Sequence, residues 1–186
     1  ATPKVNISDA SLSNEWLRVT LDKNTGAIAS IRHKSIPYNL VDSTDQFGFN
    51  QYWYTGANAA NPPSSSNPVI KVKENGPLLA SFVVTADAPG ASQFSREIQL
   101  SAGIDRVDIT NFVDKQKVLA DENLRFSFPF NVPEGQVRID LAWALMRPEK
   151  DQLKGANKNF FCAQHFVDIS NRRSGITWAN LDAPLV

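Results

Sequence analysis

Two histidines, His33 and His165, are the only imidazole side chains in this chain of 186 residues. A zinc centre built on three histidines therefore cannot come from this chain alone, because each coordination position of that type needs its own imidazole. His165 and Asp168 are three positions apart, and on a β-strand that spacing sends the two side chains to opposite faces. We therefore expect neither a shared metal ion nor an identifiable catalytic residue here.

Carboxylates are plentiful, and a retaining glycosidase requires two of them about 5 Å apart. Glu149, Asp151 and Asp168 are possible members of such a pair, and solvated loop positions are the alternative interpretation. The sequence contains no glycine-rich phosphate loop, no Gly-x-Ser-x-Gly elbow and no paired-histidine motif. The residues of this chain therefore do not add up to a complete active site.

Aromatic and polar residues concentrate in two places, at residues 49–54 and between Trp143 and Gln164. Such clusters can bind sugars, because rings stack on C–H faces while planar polar groups bond hydroxyls. Tyr52 and Trp53 in the first cluster are candidates for this role. The alternative interpretation is that these rings pack in the core or at a strand edge.

Cys162 is the single cysteine, which excludes an intramolecular disulfide and a zinc site with several cysteines. Its apolar neighbours predict a small, buried hydrophobic residue. Nineteen Lys and Arg balance nineteen Asp and Glu, so no net field favours nucleic acid or an anionic membrane. We expect no nucleic-acid partner and, because no apolar run approaches the roughly 20 residues of a spanning helix, no membrane partner.

Strict alternation of apolar and polar residues predicts β-strands along most of the chain. The clearest strand is at 124–132, where Pro129 must lie at an edge, a bulge or a border because it has no amide donor. The turn residues 133–135 predict that this strand forms a hairpin with a second one at 137–143. An opening hairpin and six more strands are predicted at 16–21 with 27–31, 69–73, 78–86, 94–100, 107–112, 161–168 and 176–179.

About ten short strands with a turn signal every ten or so residues predict an all-β sandwich or barrel. The window 115–123 is compatible with a helix but is too short and polar to form one stably. Residues 55–68 are rich in Ala, Asn, Pro and Ser and indicate a long loop rather than a linker, since similar strands flank them. We therefore expect one domain spanning residues 1–186.

Several segments, taken in their order along the chain, resemble one known family. They are 13–19 (SNEWLRV), 49–54 (FNQYWY), 126–131 (FSFPFN), 147–149 (RPE), 155–161, 166–171 (FVDISN), 175–179 (GITWA) and 182–185 (DAPL). Together they resemble the C-terminal β region of bacterial α-mannosidases of glycoside hydrolase family 38. The resemblance spans nearly the whole chain, and family members usually continue beyond residue 186, so we expect the chain to be part of a longer one.

The resemblance implies a supersandwich of the galactose-mutarotase type, with antiparallel sheets and little helix. In that family a separate N-terminal barrel supplies the zinc ligands and the nucleophilic aspartate. The implied partners are therefore that catalytic domain and mannose-containing glycans. Zinc is expected in the absent domain, this chain itself needs no cofactor, and hydrolysis by this chain alone is not expected.

The C-terminal region of such enzymes can reach into the sugar cleft. Arg147 is the first candidate for that contact, because a guanidinium can bond two hydroxyls of one sugar at once. Trp143, Glu149 and Gln164 are further candidates, either for the sugar or for the seam between domains. The compartment stays open, since bacterial cytoplasm and periplasm are both compatible with the sequence.

Two other functions are compatible with the same residues. One is an autonomous carbohydrate-binding module that uses Tyr52, Trp53 and Tyr54 as its platform. The other is an aldose-epimerase-like enzyme with His165 as general acid and Glu149 as base. The second rests on fold likeness, which does not carry function by itself.

Overall fold

A computed structural model describes residues 4–56 and 63–186. Regular secondary structure in this part of the chain consists of β-strands whose pairings are antiparallel, which confirms the predicted fold class. Among the described residues no helix is long and apolar enough to cross a membrane. The strands are β1 (Asn6–Ser8), β2 (Ser11–Ser13), β3 (Leu17–Leu21), β4 (Ile28–His33), β5 (Gln51–Gly56), β6 (Ser66–Asn75), β7 (Leu79–Asp87), β8 (Ala91–Ser101), β9 (Val107–Lys115), β10 (Glu122–Ser127), β11 (Gln136–Leu141), β12 (Ala144–Met146), β13 (Phe166–Ser170) and β14 (Gly175–Ala179).

The chain divides into two compact units, Ala1–Pro129 and Phe130–Val186. In the first unit, β1 to β4 form one four-stranded sheet, β6 to β9 form another, and β10 pairs with β5. Each four-stranded sheet runs in sequence order, because short turns join neighbouring antiparallel strands. The predicted opening hairpin is confirmed by the pairing of β3 with β4.

Period-2 alternation places the core of the first unit. In β3, Leu17, Val19 and Leu21 are buried while the residues between them face outward. The same alternation buries Ile98 and Leu100 in β8. The two four-stranded sheets meet at Gly26, whose φ of +67° and lack of a side chain allow the contact: a Cβ there would lie 2.6 Å from Val84 Cγ1.

The second unit is one four-stranded sheet in the order β12, β11, β13, β14. Its buried core consists of Ile139, Ala163 and Val167, against which half-buried side chains such as Trp178 pack. Cys162 pairs with Leu185 in an isolated bridge, which ties the end of the chain to this core. This small core is the scaffold beneath the candidate site.

The predicted hairpin between 124–132 and 137–143 is wrong. The first of these strands ends at Ser127 and pairs with β5, whereas β11 pairs with β12 and β13. Aromatic packing favours the pairing of β10 with β5, because Phe126 lies opposite Tyr52 and their ring centroids are 5.8 Å apart. Pro129 lies beyond the end of β10, at a strand border as predicted.

Three further predictions need correction. Residues 55–68 are not wholly a loop, because β5 continues to Gly56 and β6 begins at Ser66; residues 57–62 lie outside the described part. The strand predicted at 161–168 begins only at Phe166, and Cys162 is exposed rather than buried. Along this extended segment the inward positions belong to Phe161 and Ala163, so the alternation turns the thiol outward.

Candidate functional site

Trp143 occupies the tip of the hairpin formed by β11 and β12. Leu141 pairs with Ala144, which leaves Ala142 and Trp143 as the two turn residues. Trp143 has a left-handed backbone with φ of 71°, and its side chain is fully exposed. A bulky residue in that region costs about 1 kcal/mol or more, and such strain concentrates at binding surfaces.

Arg147 follows β12 directly, and Asp151 holds its guanidinium. Nε and Nη2 of Arg147 donate to the two carboxylate oxygens at 3.0 and 2.8 Å, and its backbone N–H donates to the same carboxylate at 2.8 Å. These bonds lower the pKa of Asp151 to about 2, so it is ionised at neutral pH. Arg147 remains half-exposed, with its other N–H donors available to a ligand.

Gln164 and His165 both contact Asp140 of β11. The backbone N–H of Gln164 donates to the Asp140 carbonyl at 2.7 Å, and His165 Nδ1 lies 2.7 Å from the Asp140 carboxylate. The imidazole is 70% exposed, so its Nε2 faces solvent. Asp140 is a residue that sequence reasoning missed, because 25 positions separate it from His165 and no local pattern signals the pair.

Glu149 lies in the turn after Arg147, with a left-handed backbone at φ of 67°. Its backbone N–H donates to Gln152 Oε1 at 2.9 Å, and the residue is exposed. The carboxylate partner of His165 is thus Asp140 and not Glu149, the residue that an epimerase-like pair would use. In the described part of the chain, no group of three or more His, Cys, Asp or Glu side chains could hold a metal ion.

Tyr52 and Trp53 lie in the first unit, on β5. Tyr52 has no exposed surface: its ring packs on Phe94 at 5.1 Å, and its hydroxyl donates to the Pro89 carbonyl. Burial raises the pKa of Tyr52 to about 12. Trp53 packs edge-on against Phe47 at 4.6 Å. These contacts are those of core and edge packing, and the buried Tyr52 ring offers no face to a sugar.

Known proteins are similar to this chain over nearly its whole length. The family model described as "Glycosyl hydrolases family 38 C-terminal domain" matches residues 12–183. The crystal structure of an alpha-mannosidase from Enterococcus faecalis V583 matches with a TM-score of 0.71 and 14% sequence identity. That match covers 95% of this chain and 24% of the other, so this chain spans about a quarter of its length. No curated protein sequence matches.

At 14% identity the structural match shows the fold, an all-β sandwich region present in that mannosidase. The family model extends over nearly every residue of the chain, from the second strand to the segment after the last. It confirms the resemblance drawn from the ordered sequence segments. The chain belongs to the family of C-terminal domains of family 38 glycosyl hydrolases.

Proposed function

We propose that this chain is the noncatalytic C-terminal domain of an α-mannosidase, which packs on an N-terminal catalytic domain and completes its sugar cleft. The family match and the fold shared with a known mannosidase support this proposal. The zinc and the nucleophile would belong to the N-terminal domain. The described residues of this chain do not fit a zinc site, since they include no group of three metal-ligating side chains.

We further propose that residues 1–186 act as one domain although they form two compact units. The support is that one family model runs continuously through both of them. Mannose-containing glycans would be the ligands of the assembled protein.

One observation carries the proposal: an exposed apolar face on the second unit. Phe161 and Val186 exchange backbone hydrogen bonds at 2.8 Å and pack inward against the core. The alternate residues of the same ribbon, Phe160, Cys162 and Leu185, therefore face outward. Phe160 and Leu185 are 43% and 59% exposed. Soluble proteins seldom leave such a face uncovered unless a partner binds there.

The second unit exposes further apolar side chains and has a small buried core. Leu153 and Leu181 are 85% and 89% exposed, while its buried core contains only Ile139, Ala163 and Val167 among the described residues. A unit of this size with so few buried side chains gains little free energy of folding by itself. Contact with a neighbouring domain would bury the remaining apolar surface.

Labelling of Cys162 tests this packing, because its thiol lies on the apolar face and is the only one in the chain. We expect iodoacetamide to modify it quickly in the isolated chain and at least about tenfold more slowly in the full-length protein, since alkylation requires access to the thiol. Mass spectrometry of the Cys162 peptide gives both rates.

The matched control is Lys23→Cys, which replaces a side chain that is 62% exposed in the turn between β3 and β4. Its new thiol should react at the same rate in the isolated chain and in the full-length protein. Equal rates for Cys162 in the two proteins would contradict the proposal.

Arg147 is the residue that we propose to contact the sugar. Asp151 fixes its guanidinium in place, so little conformational entropy is lost when its free N–H donors bond hydroxyls. Glu149 and Gln164 would supply acceptors at the edge of the same contact. Trp143 lies at the opposite end of β12, on the order of 10 Å away, so it would contact a neighbouring sugar or the partner domain.

A further inference from the structure

The turn between β7 and β8 in the first unit borders a cavity of about 320 Å³. This volume lies at the small end of the range of ligand sites in proteins. Short side chains keep it open, with Ala88 and Ala91 on its lining, and the nearly buried ring of Phe94 adds an apolar surface. Larger side chains at the two alanines would fill it.

The polar lining of this cavity suits hydroxyl groups. Asp87, Ser66 and Gln93 are exposed there. Asn67 donates to Asp87 Oδ2 at 2.8 Å, which orients the carboxylate and leaves Oδ1 as an acceptor. A carboxylate accepts from sugar hydroxyls, while an amide such as that of Gln93 both donates and accepts.

The charge of the lining selects the class of ligand. Among the described residues that line the cavity, Asp87 is the one charged group, and none is Lys or Arg. Phosphates and carboxylates are therefore repelled rather than held. A neutral molecule with several hydroxyls matches both the charge and the hydrogen-bonding groups.

The cavity is held in shape before any ligand arrives. Gly90, with φ of +74°, lies directly against the ring of Tyr54, where a side chain would clash. The Gln116 N–H donates to the Gly90 carbonyl at 2.9 Å, and the Tyr52 hydroxyl donates to the Pro89 carbonyl. A turn fixed at these points loses little entropy on binding. The two tyrosines of β5 thus support the turn instead of touching a sugar themselves.

We propose that this cavity binds one neutral sugar ring, with Asp87 and Gln93 bonding its hydroxyls and the short side chains of Ala88 and Ala91 leaving room for the ring. The site is separate from the one around Arg147, since the two share no residue. It would let the domain hold a second sugar unit of a glycan.

Amide NMR of the full chain, titrated with methyl α-D-mannopyranoside, tests this site. We expect saturable shifts at residues 86–94 with a dissociation constant in the millimolar range, as is usual for a single small ligand. Inorganic phosphate should leave the same amides unmoved. Shifts at residues 143–164 are read separately, so a failure here is distinguishable from a failure of the proposed cleft contact.

Two variants and one control variant locate the binding. Ala88→Phe fills the cavity and should abolish the saturable shifts, whereas Ala120→Phe, at an exposed alanine away from the lining, should retain them. Asp87→Ala, which leaves the cavity open, should weaken binding at least about tenfold by removing a charged acceptor. No saturable shift in the unmodified chain, or the same affinity in Ala88→Phe or Asp87→Ala, would overturn the proposal.

Discussion

Replacing Arg96 by alanine should lower the free energy of unfolding by about 3–5 kcal/mol. Arg96 has no exposed surface, and its Nη1 donates to the Asn50 carbonyl at 2.6 Å. Alanine would leave that buried carbonyl unpaired and create a cavity beside Phe94, whose ring lies 5.0 Å from the guanidinium carbon. Both losses fall in the core of the first unit.

The carbonyl that Arg96 binds belongs to a residue that is itself constrained. Asn50 is fully buried with φ of 56°, and its side-chain amide exchanges hydrogen bonds with Asn111 at 2.9 and 3.2 Å. Its backbone N–H donates to the Ser127 carbonyl at 2.7 Å. Arg96 therefore completes a buried polar network that fixes the chain where it enters β5.

Burial also opposes the charge of Arg96. It lowers the pKa of the guanidinium to about 10, so the group stays protonated at neutral pH, and Nε has no hydrogen-bond partner among the described residues. Arg96→Met keeps most of the volume and removes this buried charge, so its cost should be smaller, about 1–2 kcal/mol.

Urea denaturation followed by fluorescence measures these differences. The control is Arg18→Ala, at an exposed position of β3, which should change the free energy of unfolding by less than about 0.5 kcal/mol. Arg96→Ala as mild as Arg18→Ala would contradict a role for Arg96 in the core. If Arg96→Met lowered the free energy of unfolding as much as Arg96→Ala does, the lost side-chain volume would not be the main cause of the destabilisation in Arg96→Ala, contrary to our expectation.

Replacing Tyr52 by alanine should cost about 3–5 kcal/mol, as for other large aromatic side chains in a core. The ring contacts Phe94 and Phe126 at 5.1 and 5.8 Å, and nothing of it reaches solvent. Tyr52→Phe loses only the buried hydroxyl that donates to the Pro89 carbonyl, so about 1–2 kcal/mol is expected.

Trp143→Ala is the contrasting variant, because the same type of sequence signal nominated both residues for sugar contact. Trp143 is fully exposed in a left-handed turn, so its replacement should leave the free energy of unfolding within about 0.5 kcal/mol. Calorimetric or urea unfolding of the three variants compares them directly. A large loss in Trp143→Ala, or none in Tyr52→Ala, would reverse the assignment of surface and core.

Alternation along the chain located most strands, because a strand with one buried face shows its period in any short window. Together with the turn between them it paired β3 with β4, but it assigned β10 the wrong partner. Phe126 and Tyr52 meet from positions far apart in sequence, and that contact decides that β10 joins β5 and not β11. The strands β1, β2, β5 and β12 also escaped prediction. Three of them, β1, β2 and β12, have only three residues each, too few to show a period.

For the candidate site, the sequence named individual residues but not the contacts between them. Arg147 came from a family resemblance, while its partner Asp151 and the Asp140–His165 pair needed the folded hairpin to appear. In the aromatic cluster at 49–54, composition indicated a possible sugar platform. It could not show that Tyr52 is buried in the core and supports the turn between β7 and β8. Cys162 was placed inside because its neighbours are apolar, although period 2 places it outside.

Mannoside hydrolysis by the full-length protein carrying Arg147→Met tests the proposed sugar contact most directly. We expect kcat/KM to fall at least about tenfold, equivalent to about 1.4 kcal/mol of lost transition-state binding, with the midpoint of thermal unfolding unchanged. The matched control is Arg172→Met, at an exposed arginine in the turn between β13 and β14, which should keep the unmodified activity. Equal kcat/KM for the two variants would contradict the proposal that this domain completes the sugar cleft through Arg147.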